Sequence, residues 1–380
     1  MIYLDNAATT LPFEAVLKKY NAVSLLTFGN TSSNHALGRK ALHLLEESRE
    51  KMLSLTKLSK THDLLFTSGA TEANNLAIKG VAFKYANRGK RLITTSYEHP
   101  SVLQAFYELR DHFGYDVVVL EPREDGTIHP EDLEKAMDDK TILVSIMCVN
   151  NELATINDLK GLKEVISKYP RCLFHTDVTQ ALGKYPLDLK YADLISFSGH
   201  KFGSVKGVGG LFVKKNIQLS PLHNGGEQEE GIRPGTVNVA GAAAMAEALA
   251  ISYEKMDEFN KNCTRWYNDL YAYFETLDGV VINSNKLGPN QTPYIINIGL
   301  LKKKASVVVE ALSNEEIYVS SVSACSSKTN PMSVSVKAIT HDERLAANSI
   351  RISFGHQTTD EEIETFKKAF KKALEGVFAR

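Results

Sequence analysis

Hydrophobic positions along the chain fall into two regimes. From about residue 46 to residue 200, stretches with helical period alternate with short apolar runs rich in β-branched and aromatic residues. The runs are Asp63–Thr67, Arg91–Ser96, Asp116–Leu120, Thr141–Val149, Cys172–Asp177 and Asp193–Ser198, with another at Gly210–Val213. Such alternation predicts an α/β fold in which a mostly parallel sheet is sandwiched by helices. Ligands then bind beyond the carboxyl ends of the strands, so chemistry is expected just after each run.

The second regime begins near Val239. Residues from there to about Leu277 predict one long helix, alanine-rich first and aromatic later. Short runs follow at Val280–Ile282, Tyr294–Ile298, Ile317–Val322 and Ser349–Phe354, with a helix at Ser306–Leu312 among them. A last helix opens on Thr359-Asp360-Glu361-Glu362, the pattern of a capping box. The expected organisation is a large domain over residues 14–250 and a smaller α+β domain built from residues 1–13 and 251–380.

At 380 residues the chain has room for two domains sharing a cleft. A formal net charge of −1 leaves no electrostatic footprint for nucleic acid. No run of about 18 apolar residues occurs. The opening Met1-Ile2-Tyr3-Leu4-Asp5 lacks the basic and apolar regions of a secretory signal. A cytoplasmic protein with no direct membrane or nucleic-acid partner is expected. Cys148, Cys172, Cys263 and Cys325 show no paired spacing, so neither a metal site nor a disulfide framework is expected. Cys148 and Cys172 read as core thiols and Cys263 as incidental on a polar helix face.

Lys201 lies in Ser198-Gly199-His200-Lys201, between two apolar runs. An ammonium beside buried strands is costly to desolvate, and covalent chemistry of the neutral amine is a common reason to keep one there. Alone it equally fits a solvated loop lysine. Asp177 ends the preceding run and alone fits a helix N-cap, with Val178-Thr179-Gln180 opening the next helix. Together, an amine and a carboxylate at neighbouring strand ends suit pyridoxal 5'-phosphate (PLP). The amine takes the aldehyde carbon and the carboxylate keeps the ring nitrogen protonated.

Other segments add to this pair. Thr67-Ser68-Gly69-Ala70-Thr71-Glu72 follows a run and opens a helix, so its N–H groups and the Thr71 hydroxyl can hold a phosphate, or simply cap a helix. His99 can stack on a flat ring and move protons, or sit at the surface. In Val149-Asn150-Asn151-Glu152, an asparagine after an apolar run can donate to a ring oxygen or serve a turn. The glycine-bearing stretch Gly225–Asn238 is long for a plain connection. Arg351, inside an apolar run, suits a two-pronged grip on a carboxylate, or faces solvent. Cys325 sits in Val322-Ser323-Ala324-Cys325-Ser326-Ser327, surroundings that leave a thiol accessible.

These segments, in this order, resemble the cysteine desulfurase family, PLP enzymes of the class-V aminotransferase branch with the fold-type I architecture. The resemblance is collinear and nearly full length, from Tyr3-Leu4-Asp5-Asn6-Ala7-Ala8-Thr9-Thr10 and Phe28-Gly29-Asn30-Thr31-Ser32-Ser33 to Ser349-Ile350-Arg351-Ile352-Ser353. It implies that Lys201 carries PLP, that Asp177 pairs with the pyridine nitrogen and that His99 stacks on the ring. Gln180 and Asn151 take the ring-oxygen side, while Ala70, Thr71, Ser198 and His200 hold the phosphate. Thr236 does so from a neighbouring subunit, which implies a homodimer. Arg351 and Asn30 bind the substrate, L-cysteine, and Cys325 is the sulfur-accepting nucleophile. The persulfide then passes to an acceptor protein, for iron–sulfur cluster assembly or tRNA thiolation. A PLP-dependent selenocysteine lyase or aminotransferase, or a non-catalytic sulfur-trafficking scaffold, remains the alternative. The sequence departs from the family's pattern at Val322 and Ala154, where glycine is common, at Ser204-Val205, where Gly-Pro is, and at Cys148, where histidine is.

Overall fold

The computed structural model describes residues 1–321 and 332–376. After β1 (Ile2–Tyr3) come helices α1 (Glu14–Leu26) and α2 (Ala36–Leu55), then β2 (His62–Thr67), α3 (Ala70–Lys84), β3 (Arg91–Thr95) and α4 (Pro100–Phe113). The strands β4 (Asp116–Leu120), β5 (Thr141–Ser145), β6 (Leu173–Asp177), β7 (Leu194–Ser198) and β8 (Gly209–Lys214) complete a seven-stranded sheet. Its order is β2-β8-β7-β6-β5-β3-β4. Neighbours from β4 to β7 run parallel, whereas β8 is antiparallel to both β7 and β2.

Both faces of this sheet are buried, which is why its strands read as continuous apolar runs. Leu64, Ile93, Val144, Ile195 and Phe212 enter one core. Their neighbours Leu65, Leu92, Leu143, Leu194 and Leu211 enter another, under α3 and α4. The run expected at Thr141–Val149 stops as a strand at Ser145. Ile146 and Cys148 still donate to His175 and Asp177 of β6. On the other side, however, β3 has already ended at Thr95.

The second sheet is antiparallel, in the order β12 (Ser320–Ser321), β13 (Ser349–Ser353), β10 (Ile295–Leu300), β9 (Val280–Ile282). A two-residue pair, β1 with β11 (Ile317–Tyr318), binds the chain's first residues in parallel to this region. The single run expected at Ile317–Val322 thus divides between two partners, and Val322 lies outside the described residues. Leu4, Phe259, Trp266, Ile296, Ile350 and Phe366 share the core here. Cys263 belongs to it too, fully buried rather than on a polar face.

The long helix expected from Val239 is two helices, Val239–Glu254 and Met256–Glu275, parted at Lys255 with φ −92° and ψ 0°. The first packs Ala242, Ala244 and Leu249 into the large sheet's core, the second packs Phe259 and Leu270 into the other. A change of packing partner, not a loss of helical period, sets the break. The last helix, Asp360–Glu375, carries both bonds of its capping box. Among the described residues, no helix is long and apolar enough to cross a membrane.

Candidate active site

Three strand ends frame the site. After β7 the chain makes one 3₁₀ turn, Gly199–Lys201, which sets Lys201 against the N-terminal segment. Its Nζ donates to Ala7 O at 2.5 Å and to Ala8 O at 2.8 Å. β6 ends on buried Asp177, whose Oδ1 accepts from Thr179 N and whose Oδ2 accepts from Asn74 Nδ2, each at 2.8 Å. No helix follows, only turns, so Asp177 is not a helix N-cap. Beyond β3 stands His99, the N-cap of α4, exposed on one side. Burial on its other sides pushes the imidazole pKa below its ordinary value; Asp177 opposes this and Lys201 adds to it. The structure therefore brings both Asp177 and Lys201 to bear on the His99 ring.

The end of β2 forms a cradle beside them. Gly69, at φ 157° and ψ −179°, adopts a backbone region open essentially to glycine alone. Among the described residues, the Ala70 and Thr71 N–H groups, which open α3, have no backbone acceptor. A Cβ built on Gly69 would meet Ser198 Oγ at 3.4 Å, and one on Gly209 would stand 2.6 Å from Gly69 Cα. His200 Nδ1 lies 3.0 Å from Thr9 Oγ1. Burial, then Lys201, Lys184 and Lys206, push the His200 pKa down to about 4. Glu72 turns away from the cradle, accepting from Ser68 N at 2.7 Å and gripped by Arg233 at 2.7 and 3.2 Å.

Arg351 reaches in from the second sheet. It is 8% exposed, so it does not face solvent. Nη1 donates to Asn151 O at 2.9 Å and Nη2 to Asp5 Oδ1 at 3.0 Å, while buried Nε has no partner. Gln180 Nε2 donates to Ala7 O at 2.9 Å. A cavity of about 380 Å³ flanks Lys201, lined among others by Phe13, Lys184, Trp266 and His356. Asp177, His99 and Arg351 lie outside it.

Two expected members are not joined to this cluster. Asn30 is exposed on the turn between α1 and α2, its Oδ1 accepting from Ser32 N at 3.0 Å. Thr236 is exposed on the long loop before Val239. Among the described residues, no hydrogen bond links either to the cluster, and Cys325 lies outside the described residues. Asn74, Ser101, Asp5 and the carbonyls of Ala7 and Ala8 are parts of the site that sequence reasoning did not assign. Only their place within a quoted motif, for Asp5, Ala7 and Ala8, pointed toward them.

The sequence profile of the class-V aminotransferases matches residues 2–366. The chain belongs to the class-V aminotransferase family. Within that family it is 39% identical to a NifS/IcsS protein homolog of Lactobacillus delbrueckii subsp. bulgaricus, over 97% of this chain and 96% of that one. It is 37% identical to the cysteine desulfurase IscS of Buchnera aphidicola subsp. Schizaphis graminum, over 98% of this chain and 92% of that one. A solved NifS-like protein shares 33% identity and superposes with a TM-score of 0.92, covering 99% of this chain and 100% of that one.

Class-V aminotransferases, cysteine desulfurases among them, depend on PLP, and the residues present fit it. An amine and a carboxylate stand at neighbouring strand ends, beside a glycine cradle that a single Cβ would narrow. Lys184, like His200, has its pKa lowered, to about 7, by burial and then by Lys201 and Arg351. That positive field is what a doubly charged phosphate monoester would relieve.

Proposed function

We propose that this class-V aminotransferase is a cysteine desulfurase, which converts L-cysteine to L-alanine and leaves the sulfur as a persulfide on Cys325. The observation that carries the reading is that Lys201 and His99, just beyond β7 and β3, meet Asp177 at the end of β6, with Arg351 reaching over from the second sheet. Lys201 would hold the aldehyde carbon of PLP, Asp177 its ring nitrogen and His99 its ring face. Gln180 and Asn151 would meet its ring-oxygen side, and Ala70, Thr71, Ser198 and His200 its phosphate. When bound, PLP supplies an electron-withdrawing ring that makes the α-proton of an amino acid removable.

The chain's own groups do the rest. Arg351 takes the α-carboxylate through donors that Asp5 and Asn151 leave free, the unpartnered Nε among them. Lys201 Nζ, steered by the Ala7 and Ala8 carbonyls, removes the Cα proton. The Cys325 thiolate attacks the substrate sulfur. The Cβ–S bond breaks, an S–S bond forms and Cβ gains a proton, so L-cysteine and a thiol become L-alanine and a persulfide. The residues flanking the Cys325 segment support this assignment. Ser320 pairs with Arg351, and Ser333 hydrogen-bonds Glu152 beside Asn151. Cys325 stands four positions after Ser321, a chain length of at most about 14 Å.

The working unit in this reading is a homodimer, in which Thr236 serves the partner's site, and Asn30 binds substrate. Exposed Leu17, Leu25, Leu26, Phe28, Leu37 and Leu42 on and between α1 and α2 support it. The large domain spans 14–250, and 1–13 with 251–380 form the small one. An iron–sulfur scaffold or a tRNA-thiolation enzyme accepts the sulfur in the cytoplasm, whose reducing conditions keep such a nucleophile a thiol.

Cys325→Ala tests the reading. It is expected to keep the absorbance of bound PLP and to yield neither alanine nor sulfide from L-cysteine. Undiminished turnover in that variant would instead favour a selenocysteine lyase or aminotransferase. Protein that stays colourless with added PLP would favour a non-catalytic scaffold.

A further inference from the structure

Fully buried Asn74 spends both amide hydrogens inside the site, on Ser101 Oγ at 2.9 Å and on Asp177 Oδ2 at 2.8 Å. Flipping the amide would set its oxygen against the carboxylate, two acceptors face to face. The orientation is therefore fixed, and Oδ1 is left without a hydrogen bond. Ser101 Oγ, already accepting from Asn74, has one hydrogen to give. His99 Nδ1 stands 2.8 Å away to receive it, and Ser101 N donates to the same nitrogen at 3.2 Å. Two donors on one ring nitrogen mean that Nδ1 carries no hydrogen. The positive end of α4, which His99 caps, disfavours one there as well.

We propose that Asn74 and Ser101 are positioning residues: they tie Asp177 to His99 and hold the imidazole in the tautomer whose hydrogen is on Nε2. The proposal deepens the role of His99 in the function above and rests on that reading of the site. Proton traffic through His99 then runs by Nε2 alone. To become a cation the ring must place a hydrogen on Nδ1. Ser101 would have to turn its hydroxyl away, and its N–H would face the new hydrogen. From other elements, Asp177 on β6 and Lys201 after β7 act on the ring. From its own, Glu98 turns away to Met147 N and Thr95 Oγ1.

The test is ¹⁵N NMR of the histidine side chains in the PLP-loaded and the PLP-free protein, without substrate, across about pH 6–9. His99 is expected to show a bare Nδ1 and a protonated Nε2 throughout. Ser101→Ala should let hydrogen onto Nδ1, raise the His99 pKa and move the acid limb of the kcat/KM profile upward by about one pH unit. Ser101→Thr, which keeps the hydroxyl, should restore both. A wild-type His99 with hydrogen on Nδ1 would overturn the proposal, even if no variant folded. So would an unchanged tautomer and pKa in folded Ser101→Ala. Because the spectra need no turnover, loss of the desulfurase assignment would leave the tautomer result standing.

Discussion

Lys201 and Gln180 donate to one acceptor, the carbonyl oxygen of Ala7, at 2.5 and 2.9 Å. Gln180 Oε1 in turn accepts from Lys184 Nζ at 3.3 Å, so one side-chain amide connects a buried lysine to the carbonyl that holds Lys201. Lys201 and Gln180 are thus set by the same stretch of N-terminal backbone.

Lys184 supplies a pH-dependent prediction. Its folded-state pKa is pushed down from 10.5 to about 7, chiefly by burial. Between those values the unfolded chain binds more protons, so this group makes stability rise with pH in that window, and its penalty is full below about pH 7. Lys184→Met is expected to raise the urea midpoint of the PLP-free protein most at about pH 6, with the gain shrinking toward pH 10. Gln180→Ala should lower stability by about 1–3 kcal/mol by stripping Lys184 of its acceptor. That loss should largely disappear in the Lys184→Met background. An equal loss in both backgrounds would mean that the amide matters for other reasons.

Arg351 is held by Asp5 and Asn151 so that its fork is aimed before substrate arrives. Lysine in its place keeps the charge and loses the fork. Arg351→Lys should raise KM for L-cysteine roughly 10- to 100-fold, equivalent to about 1.4–2.7 kcal/mol, with a smaller change in kcat. Steady-state alanine formation measures it. A fall in kcat at unchanged KM would speak against a binding role.

Gly209 lets β8 pass the cradle. A Cβ there would lie 2.6 Å from both Gly69 Cα and Phe197 O, backbone on two sides. Gly209→Ala is expected to weaken PLP binding about 10-fold or more and to lower Tm, since neither neighbour can rotate away. PLP titration with thermal unfolding checks it; wild-type values in both would mean the cradle is not rigid.

The Arg233–Glu72 pair joins the loop bearing Thr236 to the first turn of α3. Both side chains are only partly buried, so the pair's loss should cost about 1–2 kcal/mol at most. Arg233→Ala should leave the fold intact and speed PLP release severalfold, read by absorbance after gel filtration. Release at the wild-type rate would separate this loop from cofactor retention.

Much of this site was legible in the sequence because strand ends leave marks. Asp177 ends, and Lys201 and His99 follow, an apolar run whose two faces are buried. The helix break at Lys255 was not legible, since helical period continues across it and only the change of core reveals the turn. Nothing in the sequence singles out Asn74 and Ser101, which meet Asp177 and His99 only once α3 and α4 are packed on the sheet. Ala154 was visible as a departure from a family glycine. Only the backbone shows what that entails, a fully buried alanine at φ 64°, where strain is about 1–2 kcal/mol.

Asp5, Ala7 and Ala8 on one hand and Arg351 on the other are contributed by opposite ends of the chain. At about 5–20 residues per second, a ribosome takes roughly 20–75 s to make the chain. Lys201 and the carbonyls that hold it are all made shortly past the half-way point, whereas Arg351 does not exist until roughly nine-tenths of that time has passed. Cofactor capture through the large sheet can precede substrate competence, so a nascent chain would turn yellow before it could turn over.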